Sequence, residues 1–270
     1  MTLQNEVKTF WETHPLLDFE IRTESDSYNW AKLDDIKKND VEKFSKTFWR
    51  FDKVRNLAVL DIGCGPGWLT VQYARNKANV FAIDLTEAAV RITRKALEEN
   101  SLLARVQVAD AEQLPFDSES FDLVVASGSI HHTPNYEAAF RESFRVTREG
   151  GFGLITLYRR GVLHKPIVFP FVKFLMRLTR TRHPGADLAV SSRTVDDFVR
   201  QYDGAGNPFG IAKSERAWRA DLIKAGWKIV AVERHFFPIR MSRLLRHSPG
   251  FVHRILDTKF ATMVYFTVQR

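Results

Sequence analysis

The sequence predicts an α/β fold with a doubly wound, mostly parallel sheet and helices on both faces, and three observations carry that expectation. Short apolar runs alternate with amphipathic segments from about residue 57 to 158, the first run ends in a glycine-rich turn, and the second and third runs each end in an aspartate. Strands alternating with helices make parallel sheets, because a parallel partner can be reached only by a crossover, usually a helix, that returns to the starting edge. Strands covered on both faces read as continuous apolar runs rather than alternating ones.

Taken in order, Leu57 to Ile62 (LAVLDI) is the first buried strand, followed by a helix from about Gly67 to Arg75. Asn79 to Ile83 is the second strand. Thr86 then stands as the N-cap of AAVRITRKALEEN, whose Asn100 suits a helix end. Arg105 to Val108 and Phe121 to Ser127 are the third and fourth strands, a helix runs from about Tyr136 to Val146, and a Gly150-Gly151 turn leads into a fifth strand, Phe152 to Tyr158. A helix at about Glu215 to Ala225 and strand-like runs at Trp227 to Phe237 and Ala261 to Val268 close the chain. Residues 1–55, with helices around Glu6 to Glu12 and Asp34 to Phe51, read as a helical cover on a main domain of residues 56–270. Within that domain, residues 159–213 are an inserted excursion, and excursions of that length are commonly lids or substrate-binding elements.

Composition narrows the function classes. With 270 residues and 44% hydrophobic content the chain can bury a substantial core, and its one cysteine, Cys64, leaves no disulfide scaffold and no cysteine-based metal cluster. No metal site is expected. The amino-terminal residues MTLQNEVKTFWETH lack the pattern of a secretion signal, so the expected location is cytoplasmic. The most apolar stretch, Val162 to Leu178, is broken by Lys165, Pro166, Pro170 and Lys173, short of the roughly 18–20 apolar residues a bilayer span requires. Charge is divided unevenly: residues 1–158 hold 19 Lys and Arg against 24 Asp and Glu, whereas residues 159–270 hold 21 against 8.

The chemistry concentrates on Asp61-Ile-Gly63-Cys-Gly65-Pro-Gly67. Glycines let a strand-to-helix turn bend sharply and let its backbone approach a ligand closely, and the following helix presents free N–H groups. By itself this turn would serve a dinucleotide equally well. Asp84 ends the second strand, where a carboxylate can accept from both hydroxyls of a ribose, and Asp110 with Ala111 follows the third. All three turns fall on the carboxyl edge of the sheet, the place where such sheets bind nucleoside ligands.

On these residues the sequence resembles the class I S-adenosylmethionine-dependent methyltransferases, especially the ubiquinone and menaquinone branch. The matching segments are VLDIGCGPG at 59–67, AIDLT at 82–86, VADAEQLPFDSESFDLVVAS at 108–127 and REGG at 148–151. The resemblance implies a seven-stranded Rossmann-like sheet with an antiparallel last strand, and S-adenosylmethionine as cofactor. It places Gly63, Gly65 and Gly67 against the methionine part with Asp61 supporting their turn, Asp84 on the ribose, Leu85 beside the adenine, and Asp110 with Ala111 at the adenine edge. Ser127, ending the fourth strand, joins this cofactor set. Thr147-Arg148-Glu149 departs from the family's usual Leu-Lys-Pro, outside the cofactor site.

On the acceptor side, Ser127 to Pro134 (SGSIHHTP) offers two candidate general bases, His132 first and His131 second. Phe10, Trp11, His14, Pro15, Tyr28 and Trp30 are candidates for an aromatic cover over the cofactor. The excursion GVLHKPIVFPFVKFLMRLTRTRH mixes bulky apolar residues with Lys165, Lys173, Arg177, Arg180 and Arg182, and no acid occurs from Arg159 through Ala186. Such a segment suits a hydrophobic small-molecule acceptor (quinone, polyketide, lipid or other natural product) or contact with a membrane surface. An RNA methyltransferase, with the basic half tracking phosphates and Ile130-His131-His132 similar to a segment of some tRNA-modifying enzymes, is the alternative. A non-catalytic S-adenosylmethionine-binding protein is the second. An NAD-linked dehydrogenase fits less well, since its fingerprint is G-x-G-x-x-G and the spacing here is G-x-G-x-G.

Overall fold

A computed structural model describes residues 2–17, 21–22, 28–179, 187, 190–201, 204, 206–237, 239, 242–245 and 247–270. Its centre is a seven-stranded sheet of β1 (Ala58–Ile62), β2 (Asn79–Asp84), β3 (Arg105–Val108), β4 (Phe121–Ser127), β5 (Thr147–Tyr158), β6 (Lys228–His235) and β7 (Met263–Gln269), in the spatial order β3-β2-β1-β4-β5-β7-β6. Pairs from β3 through β5 are parallel, and β7 inserts antiparallel between β5 and β6. The strand order reverses at β1 and β4, so the crevice of the sheet opens beyond the carboxyl ends of these two strands.

Alternate residues of each strand feed two cores. Val59, Leu123, Val125 and Leu154 pack on one face against α3 (Trp68–Arg75) and the amino-terminal elements, whereas Leu60, Val124, Ile155 and Val264 pack on the other against α5 (Tyr136–Val146) and α8 (Glu215–Lys224). The helix α4 (Glu87–Glu99) covers β2 and β3. Thr86 caps it as expected, its hydroxyl accepting from the Ala89 N–H.

Two boundaries differ from expectation. The fifth strand begins at Thr147 rather than Phe152, because Thr147 pairs with Phe121 and the Gly150-Gly151 stretch becomes a bulge inside the strand rather than a turn before it. The helix expected from Asp34 to Phe51 starts earlier, as α2 (Trp30–Ile36), passes through one π-helical turn (Lys37–Val41) and stops. Glu42 explains the stop: its carboxylate turns inward to accept from the hydroxyls of Ser45 and Tyr265 and from the Trp49 indole N–H, a set of partners that a continuing helix could not bring together. The first helix, α1 (Leu3–Thr13), lies over the edge of the sheet against α4. In the excursion, α6 (Phe169–Thr179) and α7 (Val195–Gln201) are helical, and α9 (Gly250–Lys259) packs on β6. Arg180, Arg182, Tyr202, Asp203 and Ala205 lie outside the described residues. No helix among the described residues is long and apolar enough to cross a membrane.

Candidate functional site

At the carboxyl edge the turns after β1, β2, β3 and β4 enclose a crevice with about 950 Å³ of empty space, its mouth included. Gly63, Gly65, Asp84, Leu85, Asp110, Ala111, Ser127 and His132 all line it, so sequence reading brought most of its candidates to one place.

The three glycines of the first turn have different jobs, although all have positive φ. A side chain on Gly65 would meet no atom within 4 Å, so this glycine faces open space where a ligand can approach. A Cβ on Gly63 would stand 2.2 Å from the Ser129 Cβ, and one on Gly67 would stand 2.8–3.0 Å from Thr93. Those two are glycines because the protein packs against itself there. Gly67 does not line the crevice, which corrects its assignment to the cofactor. Asp61 also sits below the lining: it is buried, accepts from the Thr70 hydroxyl at 2.7 Å, and burial raises its pKa to about 6. It supports the turn and does not reach the ligand space.

Asp84 is held by its own turn. One oxygen accepts from the Gly65 N–H at 3.0 Å, and the other accepts from both the N–H and the hydroxyl of Thr86. Burial raises its pKa, and these hydrogen bonds pull in the opposite direction. The oxygen that accepts only from Gly65 has a second lone pair, so this aspartate can still accept from a ligand hydroxyl. Asp110 accepts from the Glu112 N–H at 2.9 Å and from the Gln4 side-chain amide. Two acids, an exposed glycine backbone between them, and a wall of Ile62, Ile83, Leu85, Ala89 and Ala109 fit a molecule with a diol, a flat apolar ring and a polar tail.

The two histidines after β4 part company. His131 is fully buried between His132 and Tyr158, with ring centroids at 4.4 and 4.0 Å, and neither of its ring nitrogens has a hydrogen-bond partner. Burial, and then the neighbouring His132, hold its pKa well below the usual value, so it is neutral, and it lies outside the crevice lining. This removes it from the candidate bases. His132 lines the crevice, and its Nδ1 stands 3.0 Å from the Phe209 carbonyl. A carbonyl only accepts, so Nδ1 is the donor in this contact. The backbone comes that close because residue 210 is glycine, whose Cβ would stand 3.1 Å from the same Nδ1.

Several contributors carried no sequence signal. Gln4 on α1 reaches Asp110, and Glu12 on the same helix accepts from the Glu87 and Ala88 N–H groups at 2.9 Å, capping the first turn of α4 from outside. Trp11, expected in the aromatic cover, meets the His132 ring edge-on at 5.1 Å. Phe209 depends on Asn207, which accepts from the Phe209 N–H and donates to the Arg200 carbonyl. Of the expected aromatic cover, Trp11 and Pro15 line the crevice and Phe10 stacks on His14 behind them, but Tyr28 and Trp30 line a separate hollow with Leu33 and Ile92. No cluster of three or more potential metal ligands occurs among the described residues.

Comparison with known proteins agrees with this geometry. Residues 60–155 match the family model of a methyltransferase domain. The chain is 32% identical over 113 residues to the ubiquinone/menaquinone biosynthesis C-methyltransferase UbiE of Idiomarina loihiensis, a match covering 40% of this chain and 45% of that protein. It is 31% identical over 120 residues to UbiE of Vibrio campbellii, covering 43% and 44%. The matches therefore span less than half the length of these curated relatives. Among solved structures, the complex of the Haloferax volcanii Trm112 activator with a methyltransferase aligns at TM-score 0.60 and 14% identity over 88% of this chain and 93% of that one. The [4+2]-cyclase SpnF aligns at TM-score 0.55 and 16% identity over 100% and 97%. At these identities the structural likeness shows the fold alone.

Proposed function

We propose that this chain, which carries a class I S-adenosylmethionine-dependent methyltransferase domain, methylates a hydrophobic small molecule and uses His132 as general base. The observation that supports this reading best is the convergence of Gly65, Asp84, Asp110 and His132 on one crevice. When bound, S-adenosylmethionine supplies a methyl group on a sulfonium, already activated for in-line displacement. Gly65 would take the methionine part, Asp84 the ribose diol, and Asp110 with Ala111 the adenine edge. The protein's remaining task is positioning and exclusion of water. α1 covers the crevice and brings Trp11 edge-on to His132, while the Phe209 carbonyl holds His132 from behind. An imidazole at the crevice position of His132 is suited to receive the proton that an acceptor hydroxyl, amine or acidic carbon loses.

The matched UbiE proteins are named for quinone C-methylation, which favours an acceptor of that apolar class. SpnF is a reminder that one fold carries different chemistry, so transfer is a matter for assay. The test is incubation of the protein with methyl-labelled S-adenosylmethionine and cell extract, followed by separation of lipid, RNA, protein and small-molecule fractions. Label is expected in the lipid or apolar small-molecule fraction. Label confined to RNA would overturn the acceptor class, and binding without any transfer would favour a non-catalytic cofactor-binding protein.

A further inference from the structure

The exposed large apolar side chains among the described residues concentrate on and beside two helices. Among the described residues, nine of thirteen lie in two short stretches, 162–178 and 244–255, far apart in sequence. On α6, Phe171, Phe174, Leu175 and Leu178 are exposed at helical spacing i, i+3, i+4 and i+7, so one stripe of this helix faces away from the protein. On α9, Phe251 and Ile255 repeat the arrangement at i and i+4, and Leu244 precedes them, 73% exposed. The two stretches are tied together: the Arg243 N–H donates to the Thr179 carbonyl at 2.6 Å, and the hydroxyls of Ser242 and Thr179 meet at 3.2 Å.

The charges within these two stretches have one sign. Lys165, Arg177 and Arg254 are exposed in them, and Arg243 is exposed just before the second. No acid occurs from Arg159 through Ala186, and none between Glu233 and Asp257. Asp257 is buried against His235, and the acids of the neighbouring α7 are engaged, Asp196 with Arg160 and Asp197 with Arg200. A second copy would bring cation against cation, which like charges oppose. A nucleic acid would answer the cations but leave protruding Phe and Leu side chains against a polar backbone. An anionic lipid surface satisfies both at once: acyl chains accept the apolar stripe and headgroups accept the cations.

We infer that this face docks on an anionic bilayer, with the stripes of α6 and α9 seated in the headgroup boundary. Docking is a property of the surface and holds whatever the crevice methylates. The test is vesicle flotation of the full chain with phosphatidylcholine alone and with phosphatidylcholine containing phosphatidylglycerol. The protein is expected to float with the anionic vesicles and to be released by high salt. Phe171→Ser with Phe174→Ser should lower partitioning about tenfold or more. Arg177→Gln with Arg243→Gln should lower it about fivefold per charge and flatten the salt dependence. All four positions are exposed, so cofactor affinity measured by calorimetry should stay at the wild-type value in both variants. Failure to float with either vesicle, or undiminished flotation of the F171S/F174S variant, would overturn the inference. So would a dimer in light scattering that this variant converts to monomer, or retention on RNA in competition with anionic vesicles.

Discussion

The two walls of the crevice are built on different principles. The lower wall is the edge of the sheet, where each contributing residue ends a strand and its position follows from topology. The upper wall is α1 with Pro15 and Leu16 after it, held by single side-chain contacts: Gln4 to Asp110 and Glu12 to the start of α4. On the proposed function, the lower wall takes the cofactor and the upper wall borders the acceptor.

That contrast can be broken experimentally. The largest effect is expected where the walls meet. His132→Ala should lower turnover by about 10²–10⁴ with cofactor affinity unchanged, whereas His131→Phe, replacing a buried ring with no hydrogen bonds, should stay within about threefold; equal losses would mean that the pair acts through packing. Next, Asp84→Ala should weaken cofactor binding about 10–100-fold in calorimetry, the value of one or two charge-assisted hydrogen bonds. Retained affinity would place the ribose elsewhere.

Smaller effects separate the glycines and test the cover. Gly67→Ala should cost about 1–3 kcal/mol of stability through its positive φ and the overlap with Thr93, and Thr93→Ala should recover part of that loss in thermal melts. If Gly67→Ala instead weakens cofactor binding with an unchanged melt, the turn reaches the ligand after all. Glu12→Ala removes an external helix cap worth about 0.5–2 kcal/mol, so cofactor affinity should fall by a few-fold. No change would show that α1 does not belong to the binding wall. The last test lies in the basic half, away from the crevice. Burial disfavours the charge on His235, but its hydrogen bonds to Asp257 and Glu233 prevail and raise its pKa to about 9. Because the folded value exceeds the ordinary 6.5, this stabilisation is complete below pH 6.5 and is lost as pH rises through about 9. His235→Phe should flatten the melting temperature over that window.

The difference between the walls also explains what could be read from sequence. The alternation of elements, the N-cap at Thr86, and Asp84, Asp110 and Ser127 were legible because a strand end fixes a residue's place to within one position. Gly67 and Asp61 were legible as special but ambiguous in role, since a glycine needed for a neighbour's packing and one needed for a ligand look alike in sequence. Gln4, Glu12 and the Phe209 carbonyl were illegible. Polar residues on a helix face carry no sign of the distant residue they will meet, and a backbone carbonyl carries none at all. His131 and His132 are identical in type and adjacent, and only burial tells them apart.

Ser129 touches the place where a Gly63 side chain would be, so the first and fourth turns are locked back to back with no room for slack. The spacing between the glycine turn and the turn that carries His132 is thus inherited with the sheet. A lineage, or an engineer, can rewrite α1 and residues 159–213 to suit a new acceptor without retuning the reaction distance, and acceptor preference should drift among relatives far faster than the ability to transfer.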